Sequence, residues 1–292
     1  MLQDMKVLNE VSGPPITDTP SAYWIFEQIE QWAQRFPDRF AFAVDHQDRV
    51  EEYRYTDVLE QSDVVATLLA EQGVKRGDRV GILMENIPQW VFVLLGSMRI
   101  GAIAVPLATT LPESSLQLIG QHAGCSVILS DEANWTKAEK VATALGCPVL
   151  RPSPGPLPER RPLAAGEGIR GDDTAIVIYT SGTTGSPKGV ELTFDNLICE
   201  IRGALERLEM SPDHRILSVL PFSHVLPLVA NGLGPLCRGA GVVFLSSISP
   251  QRIIDAFHRH RITFFICVPQ FFYLLHKRIF AQVAAQPLPL RW

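Results

Sequence analysis

Two long stretches of this chain alternate short β-branched runs with helical stripes of apolar residues. That alternation restricts the fold more than any other feature. The first runs through strand Arg79–Met84, helix Pro88–Arg99, strand Ala102–Leu107, helix Pro112–His122, strand Ser126–Ser130, helix Glu132–Leu145 and a short strand Pro148–Leu150. Pro88 suits a first helical turn, and Gly101 ends that helix. The second resumes at Asp172 with strand Thr174–Tyr179, strand Gly189–Leu192, helix Phe194–Met210, strand Ile216–Leu220 and helix His224–Cys237. It closes with strand Gly241–Leu245, helix Pro250–Arg261, strand Ile262–Ile266 and helix Pro269–Gln282. Strands recurring at this spacing with helices between them pair in parallel through right-handed crossovers. The fold class that follows is α/β, with mostly parallel β-sheets covered by helices on both faces.

Upstream of this pattern, Ala22–Phe36 carries a helical stripe at Trp24, Ile25, Ile29, Trp32 and Phe36. Phe40–Val44 and Glu52–Tyr55 read as strands around the acidic turn Asp45–Asp48. Thr56 reads as the N-cap of the next helix and Gly73 as its stop. Met1–Pro20 is an extended lead-in, and Met1–Glu10 lacks the apolar core of a signal peptide. Arg151–Gly171 is rich in Pro, Gly, Arg and Glu without periodicity. It is expected to be a linker between a first β-α subdomain, 1–150, and a second, 172–292.

Composition narrows the partners. A net charge of −5 offers no basic footprint, so nucleic acid is not an expected partner. The five cysteines are scattered, odd in number and lack C-x-x-C spacing, which argues against a disulfide framework and a zinc site. Buried packing in a reducing, cytoplasmic compartment is the expected use. Trp90–Ala108 is apolar, but Arg99, Gly101 and Pro106 interrupt it, so it reads as a core helix and strand rather than a membrane span.

The chemistry concentrates in Tyr179-Thr180-Ser181-Gly182-Thr183-Thr184-Gly185-Ser186-Pro187-Lys188-Gly189-Val190. A buried strand opens into a loop of hydroxyl residues and glycines. Glycines allow close backbone approach, and successive N–H groups in such a loop form an anion-binding concavity. Thr180, Ser181, Thr183, Thr184 and Ser186 add uncharged donors, and Lys188 adds the compensating charge. A flexible surface loop is the bland reading of such a composition. The apolar strand before the loop and the Pro-Lys-Gly exit count against it. The P-loop spacing G-x-x-x-x-G-K-[ST] also fails. Counted from Gly182, Pro187 stands where the second glycine belongs, and Gly189 follows Lys188 where Ser or Thr is required.

The twelve residues resemble the signature loop of the adenylate-forming (AMP-binding, acyl-CoA synthetase/ligase) superfamily. The resemblance extends to Tyr55-Thr56, Gly77-Asp78-Arg79-Val80, Asn86-Ile87-Pro88-Gln89-Trp90 and Gly101–Leu107. Leu220–Val225 and Val268-Pro269 lean toward the long-chain fatty acyl-CoA synthetase branch. Two departures weaken that lean: no histidine follows the loop at Thr193–Asn196, and Leu226-Pro227 follows His224. The resemblance implies that Thr180, Ser181, Gly182, Thr183, Thr184, Gly185 and Lys188 hold the phosphates of ATP, with Thr184 toward Mg²⁺. It implies Lys188 and His224 as catalytic-side residues, with coenzyme A as the thiol and a carboxylic acid as the other substrate.

His224 belongs to Leu220-Pro221-Phe222-Ser223-His224-Val225, just past a strand end. Ligands collect at such strand ends in open parallel sheets. On the residues alone, a helix cap or a local hydrogen-bond partner is the favoured reading of a histidine there. The resemblance places it where acyl group and nucleotide meet, without making it a general base. The family continues with a glutamate for Mg²⁺, an aspartate for ribose and a catalytic lysine, none matched here. The chain is therefore expected to be an N-terminal fragment, inactive alone. A non-catalytic nucleotide- or acyl-binding module of the same fold is the alternative. A homodimer is kept open, as is peripheral membrane contact if the acid is long-chain.

Overall fold

The computed structural model describes residues 21–152, 168–180 and 187–269, together with Phe272, Tyr273, His276, Lys277 and Phe280. Up to Leu150 the elements are α1 (Trp24–Arg35), β1 (Phe40–Asp45), β2 (Val50–Arg54), α2 (Tyr55–Glu71), β3 (Arg79–Leu83), α3 (Pro88–Arg99), β4 (Ile103–Pro106), α4 (Glu113–Ala123), β5 (Cys125–Ser130), α5 (Trp135–Leu145) and β6 (Val149–Leu150). Then come β7 (Thr174–Thr180), β8 (Lys188–Thr193), α6 (Phe194–Arg207), β9 (Arg215–Ser218), α7 (Val225–Leu228), a π-helical turn (Val229–Leu233), α8 (Gly234–Cys237), β10 (Gly241–Leu245), α9 (Pro250–Arg259) and β11 (Phe264–Phe265).

The strands form a five-stranded sheet, β11-β9-β10-β1-β2, and a six-stranded sheet, β6-β5-β3-β4-β7-β8. An antiparallel hairpin closes one edge of each, β1–β2 and β7–β8. The remaining pairs are parallel. The expected division of the chain at 151–171 does not coincide with the division into sheets. β7 and β8 follow that segment yet extend the sheet of β3–β6, and β1 and β2 precede it yet extend the sheet of β9–β11.

The reason lies in α3. It is buried at every position from Trp90 to Met98, a run apolar on all sides, so it must be covered on all sides. Phe92 packs its ring 6.0 Å from Phe42 and 5.4 Å from Tyr53 in the five-stranded sheet. Trp90, Val91 and Leu95 share one core cluster with Val80, Ile82, Ala104 and Ile176 of the six-stranded sheet. A second cluster packs α4 and α5 against the opposite face of that sheet. Close approach of α2 to α3 depends on Gly96, where a Cβ would stand 2.7 Å from Val65 Cγ1 and 2.9 Å from the Ser62 carbonyl oxygen.

Local chemistry sets the element ends. α2 begins two residues earlier than Thr56 as cap would require: Asp57 accepts from the Arg54 N–H at 2.6 Å, and Arg54 is the N-cap. Thr193 Oγ1 accepts from the Asn196 N–H while Asn196 Oδ1 accepts from the Thr193 N–H, each at 3.1 Å, a reciprocal box that starts α6. The apolar stretch Trp90–Ala108 is α3 followed by β4, as expected. Among the described residues no helix is long and apolar enough to cross a membrane.

Candidate functional site

β7 is buried from Ala175 to Ile178, inside its sheet, and becomes exposed at Thr180. Across the hairpin, Thr180 is the register partner of Lys188, and Tyr179 of Gly189. Directly opposed residues of an antiparallel pair share a face. The Thr180 hydroxyl and the Lys188 ammonium therefore stand on one face at the mouth of the loop that joins them. Both residues are exposed, and among the described residues Lys188 forms no ion pair. Ser181, Gly182, Thr183, Thr184 and Gly185 lie outside the described residues. Gly189 has a packing reason: a Cβ there would stand 2.8 Å from Val177 Cγ1 and 3.1 Å from Tyr179 Cζ.

The segment carrying His224 leaves β9 in the other sheet and is fastened to the first turn of α3. Asn86 Nδ2 donates to Ser218 Oγ at 2.9 Å. The buried Phe222 ring lies 5.2 Å from Trp90 and 5.9 Å from Phe244. Residues 221–224 thus stand beside the carboxyl end of β3. β7 ends on the same edge two strands away, about 10 Å at ordinary strand spacing. His224 is exposed and is the N-cap of α7 without a side-chain capping bond. Among the described residues no hydrogen bond links it to Thr180 or Lys188.

Three residues in or near this stretch of sequence and its contacts carry buried polar atoms without partners. Asn231, in the π-helical turn, is 0% exposed, and both its amide atoms lack a hydrogen-bond partner. Ser223 Oγ and Asn86 Oδ1 are likewise buried and unpaired. Buried amides in native proteins are nearly always satisfied, and π-turns gather at functional sites. The π-turn is invisible in sequence, since nothing in Val229–Leu233 marks it.

Two histidine pairings also escape sequence reasoning. His260 is buried and bonds Asp45 Oδ2 through Nε2 at 2.6 Å. Asp45 also accepts from the Gln47 N–H at 2.8 Å, from Arg259 at 3.2 Å and from Arg252 at 3.3 Å. Burial alone raises the Asp45 carboxyl pKa. The His260 and Gln47 hydrogen bonds and the two guanidinium charges outweigh it and hold the group below the usual carboxylate range. His122 bonds Tyr179 Oη through Nδ1 at 2.8 Å.

The thiols are free; Cys125 and Cys237 are buried as expected, whereas Cys147 and Cys267 are half-buried and Cys199 is exposed. Burial pushes the Cys125 thiol up to about 12, with Cys147 adding to the effect. Among the described residues no group of three or more His, Cys, Asp or Glu is arranged to hold a metal ion.

Comparisons with known proteins agree with this architecture. The chain is 31% identical over 265 residues to a mitochondrial malonate–CoA ligase of Homo sapiens, covering 87% of this chain and 46% of that protein. It is 31% identical over 231 residues to a 4-coumarate–CoA ligase of Oryza sativa subsp. japonica, covering 75% and 42%. With a feruloyl-CoA synthase of Amycolatopsis sp it shares 29% over 238 residues, covering 82% and 46%. The chain spans less than half the length of these curated relatives. Its fold matches O-succinylbenzoate coenzyme A synthetase of Bacillus subtilis in complex with AMP, at a TM-score of 0.73 and 25% identity over 90% of this chain and 65% of that one. It also matches ATP-bound MatB of Rhodopseudomonas palustris, at 0.70 and 24% over 88% and 51%, a likeness of fold alone. The family model described as AMP-binding enzyme matches residues 29–290, and the chain belongs to that family.

Proposed function

We propose that this chain carries the nucleotide- and acyl-facing part of an AMP-forming carboxylic acid:CoA ligase. One observation carries the reading: Thr180 and Lys188 pair at the mouth of a hydroxyl- and glycine-rich loop, in a chain matched to the AMP-binding family over 29–290. In this reading Thr180, Ser181, Gly182, Thr183, Thr184, Gly185 and Lys188 hold the β- and γ-phosphates of ATP, and His224 lines the meeting point of carboxylate and α-phosphate. A substrate carboxylate oxygen attacks the α-phosphorus, the α–β bridging P–O bond breaks, and pyrophosphate leaves. The thiol of coenzyme A then attacks the acyl carbon, and AMP leaves with the carboxylate oxygen. Such transfers need positioning and charge neutralisation above all. Lys188, which forms no ion pair among the described residues, is free to offset charge growing on the departing pyrophosphate. Thr184 would help hold Mg²⁺, which would supply further neutralisation of the phosphate charge.

We assign a fatty acid as the acyl donor on the strength of Leu220–Val225 and Val268-Pro269. The malonate, coumarate and ferulate in the relatives' names set the competing acids for a substrate panel. The 292-residue chain alone is expected to bind ATP without turnover, because its match spans less than half of each of these relatives. Acid-dependent ATP–pyrophosphate exchange by the purified chain overturns that part. ADP and phosphate as products, in place of AMP and pyrophosphate, overturn the ligase reading as a whole.

A further inference from the structure

We propose that His122 is a positioning residue for the phosphate-binding hairpin, acting through Tyr179. The inference rests on the reading of Thr180 and Lys188 as a nucleotide grip. His122 lies in the last turn of α4, and its Nδ1 stands 2.8 Å from Tyr179 Oη, 57 residues away. The two rings meet edge-on, at 89° with centroids 5.7 Å apart. Tyr179 directly precedes Thr180, and its cross-strand partner Gly189 directly follows Lys188. The phenol lies against the Gly189 backbone: a Cβ at Gly189 would stand 3.1 Å from its Cζ and 3.3 Å from its hydroxyl. One ring therefore touches both arms of the hairpin just below the mouth, and His122 holds that ring by its far end.

The bond is not needed to hold α4. Leu116 and Ile119 already anchor that helix in the second core cluster, and Lys140 ties its first residue, Glu113, at 2.8 Å. Nor does it hold the lower part of β7, which is buried from Ala175 to Ile178. What remains to be restrained is the exposed end of the hairpin, Thr180 and Lys188 to Val190. Burial raises the Tyr179 pKa, with Cys125 and Glu191 adding to it against Arg79, so the phenol keeps its proton; the donor in the bond follows the imidazole tautomer. Fixing the mouth before a ligand arrives lowers the ordering cost of gripping a polyphosphate and leaves a ligand without one unaffected.

The test is titration calorimetry of ATP and of AMP on the 292-residue chain and five variants: His122→Ala, His122→Asn, Tyr179→Phe, the His122→Ala/Tyr179→Phe double, and Lys188→Ala. His122→Ala and Tyr179→Phe are each expected to weaken ATP about threefold to fivefold, the scale of one exposed neutral hydrogen bond, with AMP unchanged. Asn, which presents an amide where Nδ1 stood, is expected to recover most of the loss. The double variant is expected to lose no more than either single one, since both remove the same bond. An unchanged ATP affinity in His122→Ala beside a clear loss in Lys188→Ala overturns this inference alone. So does equal weakening of ATP and AMP with a lowered melting temperature, which marks a purely structural role. Lys188→Ala binding ATP like the parent overturns the grip reading, and this inference with it.

Discussion

Asn86 and Ser218 join the two sheets at their carboxyl ends, Asn86 Nδ2 donating to Ser218 Oγ at 2.9 Å. Asn86 follows β3 of one sheet, and Ser218 ends β9 of the other. The bond is part-buried and ties the turn before α3 to the segment that carries His224. Ser218→Ala leaves the Asn86 amide short of a partner and is expected to cost about 1 kcal/mol, as for one such bond. Urea unfolding of the parent and the variant measures it. Equal midpoints show that the contact adds nothing.

Asn231 predicts the opposite sign. Its amide is fully buried with no hydrogen-bond partner, so Asn231→Leu exchanges an unpaired polar group for an apolar one of similar volume. The variant is expected to be more stable by about 1 kcal/mol or more in urea unfolding. A destabilised variant indicates that the amide is satisfied in solution, by water or by a ligand.

The Asp45 cluster predicts a pH dependence. The carboxyl pKa is lower in the folded chain than in the unfolded one. A depressed carboxyl stabilises the fold fully above its unfolded value, about 3.9, and that stability is lost as pH falls through the folded value. Asp45→Asn leaves Arg252 and His260 buried without their anion. It is expected to cost about 3 kcal/mol at neutral pH. The gap from the parent narrows in acid, as the parent loses the same contribution. Unfolding curves recorded from pH 7 to pH 3 measure both, and a gap that is constant with pH contradicts the assignment.

Much of the fold was legible in local pattern. Pro88 and Gly101 bracket α3 because proline suits a first turn and Gly101 takes φ 69° after the last one. β10, Gly241–Leu245, is a buried apolar run bounded by turn residues. The distribution of strands between sheets was not legible. It depends on an all-round apolar α3 demanding cover from both sheets, which no local window reports. His260 and Asp45, 215 residues apart, meet for the same kind of reason, as do His122 and Tyr179. The proposal that the Thr180 and Lys188 ends of the loop grip a polyanion rests on residue chemistry. Their register pairing came only with the hairpin.

Gly189 offers a backbone test of the same site. A side chain at 189 would press on Val177 Cγ1 at 2.8 Å and on the Tyr179 ring at 3.1 Å. Gly189→Ala is expected to cost about 1–3 kcal/mol of stability through overpacking and to weaken ATP binding by displacing the ring beside the mouth. Thermal unfolding and nucleotide titration on one preparation measure the two effects. Native ATP affinity in a destabilised variant separates the ring from the site.

The central claim is that the Thr180–Lys188 hairpin grips the phosphates of ATP. Its most direct test is the affinity of the 292-residue chain for ATP and for AMP, measured side by side on the parent and on Lys188→Ala. The parent is expected to prefer ATP. Lys188→Ala is expected to lose about tenfold to a hundredfold in ATP affinity, the scale of one charge-assisted contact, with AMP affinity kept. ATP binding that is indifferent to Lys188, or no preference for ATP over AMP in the parent, contradicts the account.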